Sequence, residues 1–129
     1  MPEFRILKKR ADFLLAAGSG FKFVKPSIIV QSRPRKEENA PDDAHVRIGF
    51  TATKKLGNAI IRNRAKRRMR AAAAQLIPEL GLKSCDYVFI GREEVYKGEF
   101  SHILRDMRHA LKRLADQMKE ASNKKEETI

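Results

Sequence analysis

Nine basic side chains and no acidic one lie between Asp43 and Glu79: Arg47, Lys54, Lys55, Arg62, Arg64, Lys66, Arg67, Arg68 and Arg70. Guanidinium and ammonium groups at this density are suited to neutralising a polyanion, with phosphate oxygens as acceptors and released counterions as a driving force. The whole chain carries +12, so this one interval holds most of the imbalance. No comparable set points to catalysis by the protein. The single cysteine and three scattered histidines lack metal-ligand spacing. No Ser-His-Asp set, phosphate loop or paired carboxylate stands in a recognisable context.

A block of like charge usually repels itself into disorder. This one has a helical apolar stripe instead. At about 100° per residue, Ile61, Ala65, Met69, Ala72 and Leu76 share a narrow face. Arg62, Lys66 and Arg70 recur every fourth residue beside it, Asn63 and Arg67 extend that flank, and Arg64 and Arg68 line the far side. Like charges four apart destabilise an isolated helix by a few tenths of a kcal/mol per pair. A phosphate backbone would relieve that repulsion. Asn58 is a suitable N-cap, Gly57 lets the preceding loop turn, Ala71–Ala74 favour helix, and Pro78 is expected to end it. The bland alternative is a solvated basic face on a core helix, but such faces ordinarily mix both signs.

The run KKLGNAIIRNRAKRRMR resembles the signature of the bacterial ribonuclease P protein family. The matching positions are Lys54, Lys55, Gly57, Asn58, Ala59, Arg62, Asn63, Arg64, Lys66, Arg67 and Arg70. LKKRADF, VRIGFTATKK and DYVFIGR extend the likeness across roughly residues 7–115. The resemblance implies a protein that assists a catalytic RNA subunit in removing the 5′ leader of precursor tRNA. In that division the RNA carries the chemistry, with Mg²⁺ held mainly by the RNA and activating water for phosphodiester hydrolysis. The basic set from Lys54 to Arg70, Asn58 and Asn63 included, would grip the RNA subunit. A helix near the start would form one wall of a cleft over the sheet, where Phe13 meets the leader. The family's second aromatic, four residues on, is Ala17 here, with Phe21 or Phe23 as candidates for the missing ring. Aromatic stacking tolerates varied leaders because every base has a π face. Arg92 matches a family arginine near the cleft, whereas Glu93 and Glu94 place acid where a base is common and weaken contact there.

These residues need elements to position them. KKRADFLLAA, residues 8–17, reads as a short helix closed by Gly18 or Gly20. Phe21–Val24 and Ser27–Ser32 read as strands split by Pro26. Residues 33–45 form a polar, proline-bearing flexible loop with no expected chemistry. Val46–Thr53 alternates: Val46, Ile48, Phe50 and Ala52 should pack on helices. Arg47, Gly49, Thr51 and Thr53 would present hydroxyls and bare backbone to RNA, with Thr51 and Thr53 part of the cleft. Asp86–Gly91 is an apolar strand covered on both faces, and strand-helix-strand implies a parallel βαβ unit. Ser101 caps a last helix through about Lys119, with Ile103, Leu104, Met107, Ala110, Leu111, Leu114 and Met118 inward. His102 and His109 carry no assigned role, and residues 121–129 read as a disordered tail.

The expected architecture is α+β: one RNA-binding domain over residues 1–120, ordered αβββαβα, with helices on a central four-stranded sheet. The resemblance adds a left-handed βαβ crossover. No apolar run is long enough to span a bilayer. The start lacks a secretory h-region, and one cysteine suits a reducing cytoplasm. The expected partners are ribonuclease P RNA and precursor tRNA, with no membrane; the pattern does not specify self-association. Two other classes stay open. One is a ribosomal or RNA-chaperone-like binder. The other is a DNA-binding protein reading with Lys54–Arg70, which lacks the preceding helix of a helix-turn-helix.

Overall fold

The computed structural model describes residues 4–35 and 45–127. In chain order its elements are β1 (Phe4–Ile6), α1 (Arg10–Ala17), β2 (Phe21–Val24), β3 (Ile28–Pro34), β4 (Val46–Thr51), α2 (Ala59–Leu80), β5 (Cys85–Gly91), α3 (Glu94–Lys97) and α4 (Phe100–Glu127). A single 3-10 turn, Lys54–Leu56, precedes α2. The strands form one mixed sheet in the order β1-β4-β5-β3-β2. β5 is central, parallel to β4 and antiparallel to β3. Cys85–Phe89 are all buried, as its unbroken apolar run requires. The expected parallel βαβ pair is β4-α2-β5.

Alternation divides each strand between two faces. On one, Ile28, Val30, Val46, Ile48, Tyr87 and Phe89 join a single core with Ala65, Met69, Ala72 and Leu76 of α2 and Ile103, Met107, Leu111 and Leu114 of α4. The opposite face holds a smaller cluster of Leu7, Ala16 and Val88, with Phe13 and Ile90 packed on it. Gly49 lies on this second face. A Cβ there would stand 2.6 Å from Cζ of Phe13 and 3.2 Å from Cβ of Leu7. Only a glycine lets the ring rest directly on the strand. The bare backbone expected to receive RNA is therefore covered by the protein's own phenylalanine.

The sheet has five strands, not four. β1 was missed because three residues carry no readable period, and its partner β4 is distant in the chain. The expected loop 33–45 begins later, since β3 runs through Pro34 and pairs with β5 as far as Cys85. Residues 36–44 of that loop lie outside the described residues. β4 stops at Thr51, so Thr53 is outside the strand. Helix α2 continues past Pro78 to Leu80. A proline this near the end removes one ladder bond, and Gly81 N–H still reaches the Ile77 carbonyl at 2.8 Å. The four-residue α3 carried no helical stripe to read. Helix α4 begins one residue before Ser101 and runs to Glu127, where a tail had been expected from 121; residues 128–129 are outside the described residues.

Burial pushes the Cys85 thiol up from 9.0 to about 11, against a lowering by Arg35. Tyr87 is raised from its ordinary value by the same cause. The folded state thus holds these protons more tightly than the unfolded chain. The stability contributed by Cys85 is complete below pH 9.0 and is lost as pH rises towards about 11, and that of Tyr87 begins to be lost only above pH 10.0. Within that window Cys85 alone gives a slope of roughly 1.4 kcal/mol per pH unit. Urea melts at two alkaline pH values should show stability falling, and Cys85→Ala should show a shallower fall. Equal slopes would contradict the assignment.

Candidate nucleic-acid interface

Helix α2 is set by its cap and its stripe. Asn58 stands extended at the N-cap, and its side-chain oxygen accepts from Ile61 N–H at 3.0 Å. Gly57 has φ +151°, and a Cβ there would approach Ile61 Cδ1 to 2.8 Å. The entry to the helix therefore requires glycine. Ala65, Met69, Ala72 and Leu76 are at most 1% exposed, with Ile61 half-buried. This fixes the rotation of α2 and so decides which cations face outward. Asn63, Arg64, Arg67 and Arg70 are exposed, as are Lys54 and Lys55 on the 3-10 turn. Arg62 and Lys66 are half-buried at the margin of the stripe. The Nε of Arg62 is buried with no hydrogen-bond partner, a donor awaiting an acceptor. The Arg70 guanidinium lies 5.6 Å over the Phe50 ring, a cation–π contact that anchors it above β4.

Arg68 departs from expectation. It does not line a free far side; it donates to the carbonyls of Tyr96 at 3.3 Å and Gly98 at 2.9 Å. It is a strut between α2 and the α3–α4 junction. Spacing could not reveal this, because its acceptors are backbone carbonyls far along the chain.

On the other face, strand register places Thr51, Ile90, Ile29 and Val24 in one row across β4, β5, β3 and β2. The first three are half-buried and Val24 is 51% exposed. Phe13 stands over Gly49, in the neighbouring row. The result is a partly open apolar strip with a ring beside it. Ala17 is exposed and offers no ring. Neither Phe21 nor Phe23 replaces it: both pack on the main core, under the opposite face, and Phe23 meets His109 edge-on at 5.2 Å. Thr53 lies beyond the strip, its carbonyl accepting from Leu56 N–H at 3.0 Å. Arg92 is exposed past Ile90 and donates from Nη1 to the Lys25 carbonyl at 2.9 Å. Glu93 is paired with Lys97, which raises the lysine's pKa through that hydrogen bond.

The largest feature missing from the sequence reading is Asp86, fully buried on the strip's face at the far end of β5. Arg47 grips both its oxygens, through Nε and Nη2, at 2.7 Å each. Arg35 Nη1 approaches to 2.5 Å and Arg33 Nη1 to 3.5 Å. Asp12 of α1 reaches Arg47 at 3.5 Å and Arg33 at 4.0 Å, tying the helix to the same cluster. Arg35 also donates to the His45 carbonyl at 2.5 Å, joining the two ends of segment 36–44. Arg47 thus belongs to the fold, although it counts among the nine basic residues.

No three His, Cys, Asp or Glu side chains come together among the described residues. Asp86 is committed to arginines and Asp106 to Ser27. No helix among the described residues is long and apolar enough to cross a membrane. The arrangement can bind an anionic polymer on α2 and accommodate flat or apolar groups on the strip.

Comparison with known proteins agrees with this chemistry. The family model described as Ribonuclease P matches residues 1–115. A ribonuclease P protein component of Paramagnetospirillum magneticum is 44% identical over 108 residues, covering 84% of this chain and 80% of the relative. One from Caulobacter vibrioides is 45% identical over 113 residues, covering 88% and 72%. Among solved structures, the RNase P protein from Thermotoga maritima superposes with a TM-score of 0.69 at 26% identity, covering 84% of this chain and 96% of that one. The Staphylococcus aureus RNase P protein gives 0.67 at 28% identity, covering 83% and 92%.

Proposed function

The chain belongs to the ribonuclease P protein family, as a component of a tRNA-processing ribonucleoprotein endoribonuclease, and from that membership we propose a division of contacts between its two surfaces. Helix α2 and its leading turn hold the catalytic RNA through Lys54, Lys55, Asn58, Arg62, Asn63, Arg64, Lys66, Arg67 and Arg70. The strip beside Phe13, with Thr51 and Arg92 at its margins, holds the single-stranded 5′ leader of precursor tRNA. Asn58 contributes through its amide N–H₂, since its oxygen serves the helix cap. We move Thr53 from the leader cleft, where the resemblance put it, to the catalytic-RNA contact beside Lys54, because β4 ends at Thr51.

The observation that carries the reading is the separation itself. The cations of α2 flank one face of the sheet, while the apolar strip and Phe13 occupy the other. One surface suits backbone phosphates, and the other suits bases that stack. Mg²⁺, when bound, supplies the activated water; we assign its ligands to the RNA partner, because no three His, Cys, Asp or Glu side chains come together among the described residues. The protein contributes affinity and orientation to a reaction carried out by its partner.

Copurification tests this. The full-length chain isolated from cells should carry one structured RNA, and that complex should cleave precursor tRNA at the 5′ leader junction. Recovery of ribosomal RNA alone would move the chain to the ribosomal or chaperone-like class.

A further inference from the structure

Edge strand β2 and helix α4 place a second set of cations around the turn that joins β2 to β3. Lys25 Nζ lies 2.9 Å from His109 Nδ1, and no carboxylate pairs with this lysine among the described residues. The ammonium can donate to this ring nitrogen in the tautomer that accepts at Nδ1. Arg92 joins them from β5 by donating to the Lys25 carbonyl. Arg105 and Arg113 flank His109 at four-residue spacing on α4, and both are exposed. From Phe100 to Ala115, every exposed ionised side chain is basic: Arg105, Arg108, Lys112 and Arg113.

The nearby acids are already engaged. Asp106 is buried and accepts from the Ser27 N–H and Oγ–H at 3.0 and 2.7 Å. Arg105 Nε comes only to 3.5 Å from its other oxygen, and the Arg105 side chain stays 64% exposed. Glu93 is paired with Lys97. Arg108 is paired with Glu79 at 3.6 Å and exposed Asp116 follows one turn after Arg113, but Lys25, Arg92 and Arg113 have no carboxylate partner among the described residues, around a turn pinned by a buried carboxylate.

Its position supplies the direction. The apolar strip ends at Val24 on β2, and Lys25 is the next residue. Helix α4 packs over β2 and β3, whereas α2 packs over β4 and β5, so the two cationic surfaces lie on opposite flanks. We propose that the Lys25 turn and α4 form a second phosphate-binding surface. It takes the sugar–phosphate backbone of single-stranded RNA as the strand leaves the strip around the β2 edge. This rests on reading the strip as the leader site.

The test is fluorescence anisotropy with the full-length chain and unstructured oligonucleotides, one just long enough for the strip and one about three times longer. The variants are Lys25→Ala/Arg105→Ala/Arg113→Ala and, separately, Phe13→Leu, which removes the ring and keeps bulk. The triple variant should melt close to the parent, and Phe13→Leu should still melt cooperatively at a modestly lower midpoint, since the ring packs on the smaller cluster. The triple variant should bind the long oligonucleotide about tenfold more weakly. Its salt slope should become shallower by about two, as three phosphate contacts at about 0.7 each require. The short oligonucleotide should be unaffected by the triple change, and Phe13→Leu should weaken both. An unchanged long-oligonucleotide affinity and slope in the triple variant, with Phe13→Leu still weakening both, overturns the second surface and leaves the strip intact. No effect of Phe13→Leu on either overturns the strip and the exit path with it.

Discussion

Asp86→Ala is expected to destabilise the domain by about 3–5 kcal/mol, the range for removing one partner of a buried ion pair. That is a large share of the total stability of a domain this size, roughly 5–15 kcal/mol. The carboxylate is fully buried and accepts from Arg47 and Arg35, with Arg33 beside it. Without it, guanidiniums from both sides of β5, Arg47 on β4 and Arg33 and Arg35 at the end of β3, are left facing one another across its place. The damage should spread to α1, because among the described residues Asp12 is the other acid that meets those arginines. Urea denaturation followed by circular dichroism measures the loss. Asp86→Asn should recover only part of it, since the amide accepts hydrogen bonds but carries no charge. A loss below about 1 kcal/mol, typical of exposed pairs, would show that the cluster is a surface network.

The second large effect concerns RNA. Arg62→Ala/Asn63→Ala/Arg64→Ala should leave the fold intact, since none of these side chains belongs to the buried stripe of α2. Loss of two charge-assisted contacts at about 1.5–3 kcal/mol each should lower affinity for the structured RNA partner at least about 100-fold. The unpartnered Nε of Arg62 makes it the most sensitive of the three. For the parent, about six phosphate contacts predict a fall of roughly 10³-fold in affinity between 50 and 200 mM salt. Filter binding across a salt series reads both effects. A flat salt response would remove α2 as the anchor, and a lost cooperative melt in the triple variant would make these residues structural.

What could be read in advance was local. The stripe of α2, its asparagine cap and the inward residues of α4 all follow from helical period. The central strand followed from its unbroken apolar run. What escaped was pairing across distance. Asp86 looked like the first residue of a strand, and Arg33 and Arg35 looked like loop, because only register brings them together. Arg68 was counted as a free cation because its carbonyl acceptors have no sequence signature. Gly49 was placed on the correct face but given to RNA, since alternation cannot tell which ring will cover a bare strand. Phe21 and Phe23 were possible cleft rings until the register turned both towards the main core.

The middle of the sheet is the last strand to be synthesised. β4 and β3 have no contact in the ladder until β5 separates and joins them. A nascent chain emerging from the ribosome must therefore expose residue 91 before its sheet can close. Until then the cationic helix has no completed sheet to dock against. Translation would produce an interval in which this segment is most exposed to the polyanions around it. Local helix can form early in that interval, whereas long-range strand pairing is slow. The order of assembly, as well as the finished shape, thus favours an encounter with nucleic acid before maturation is complete.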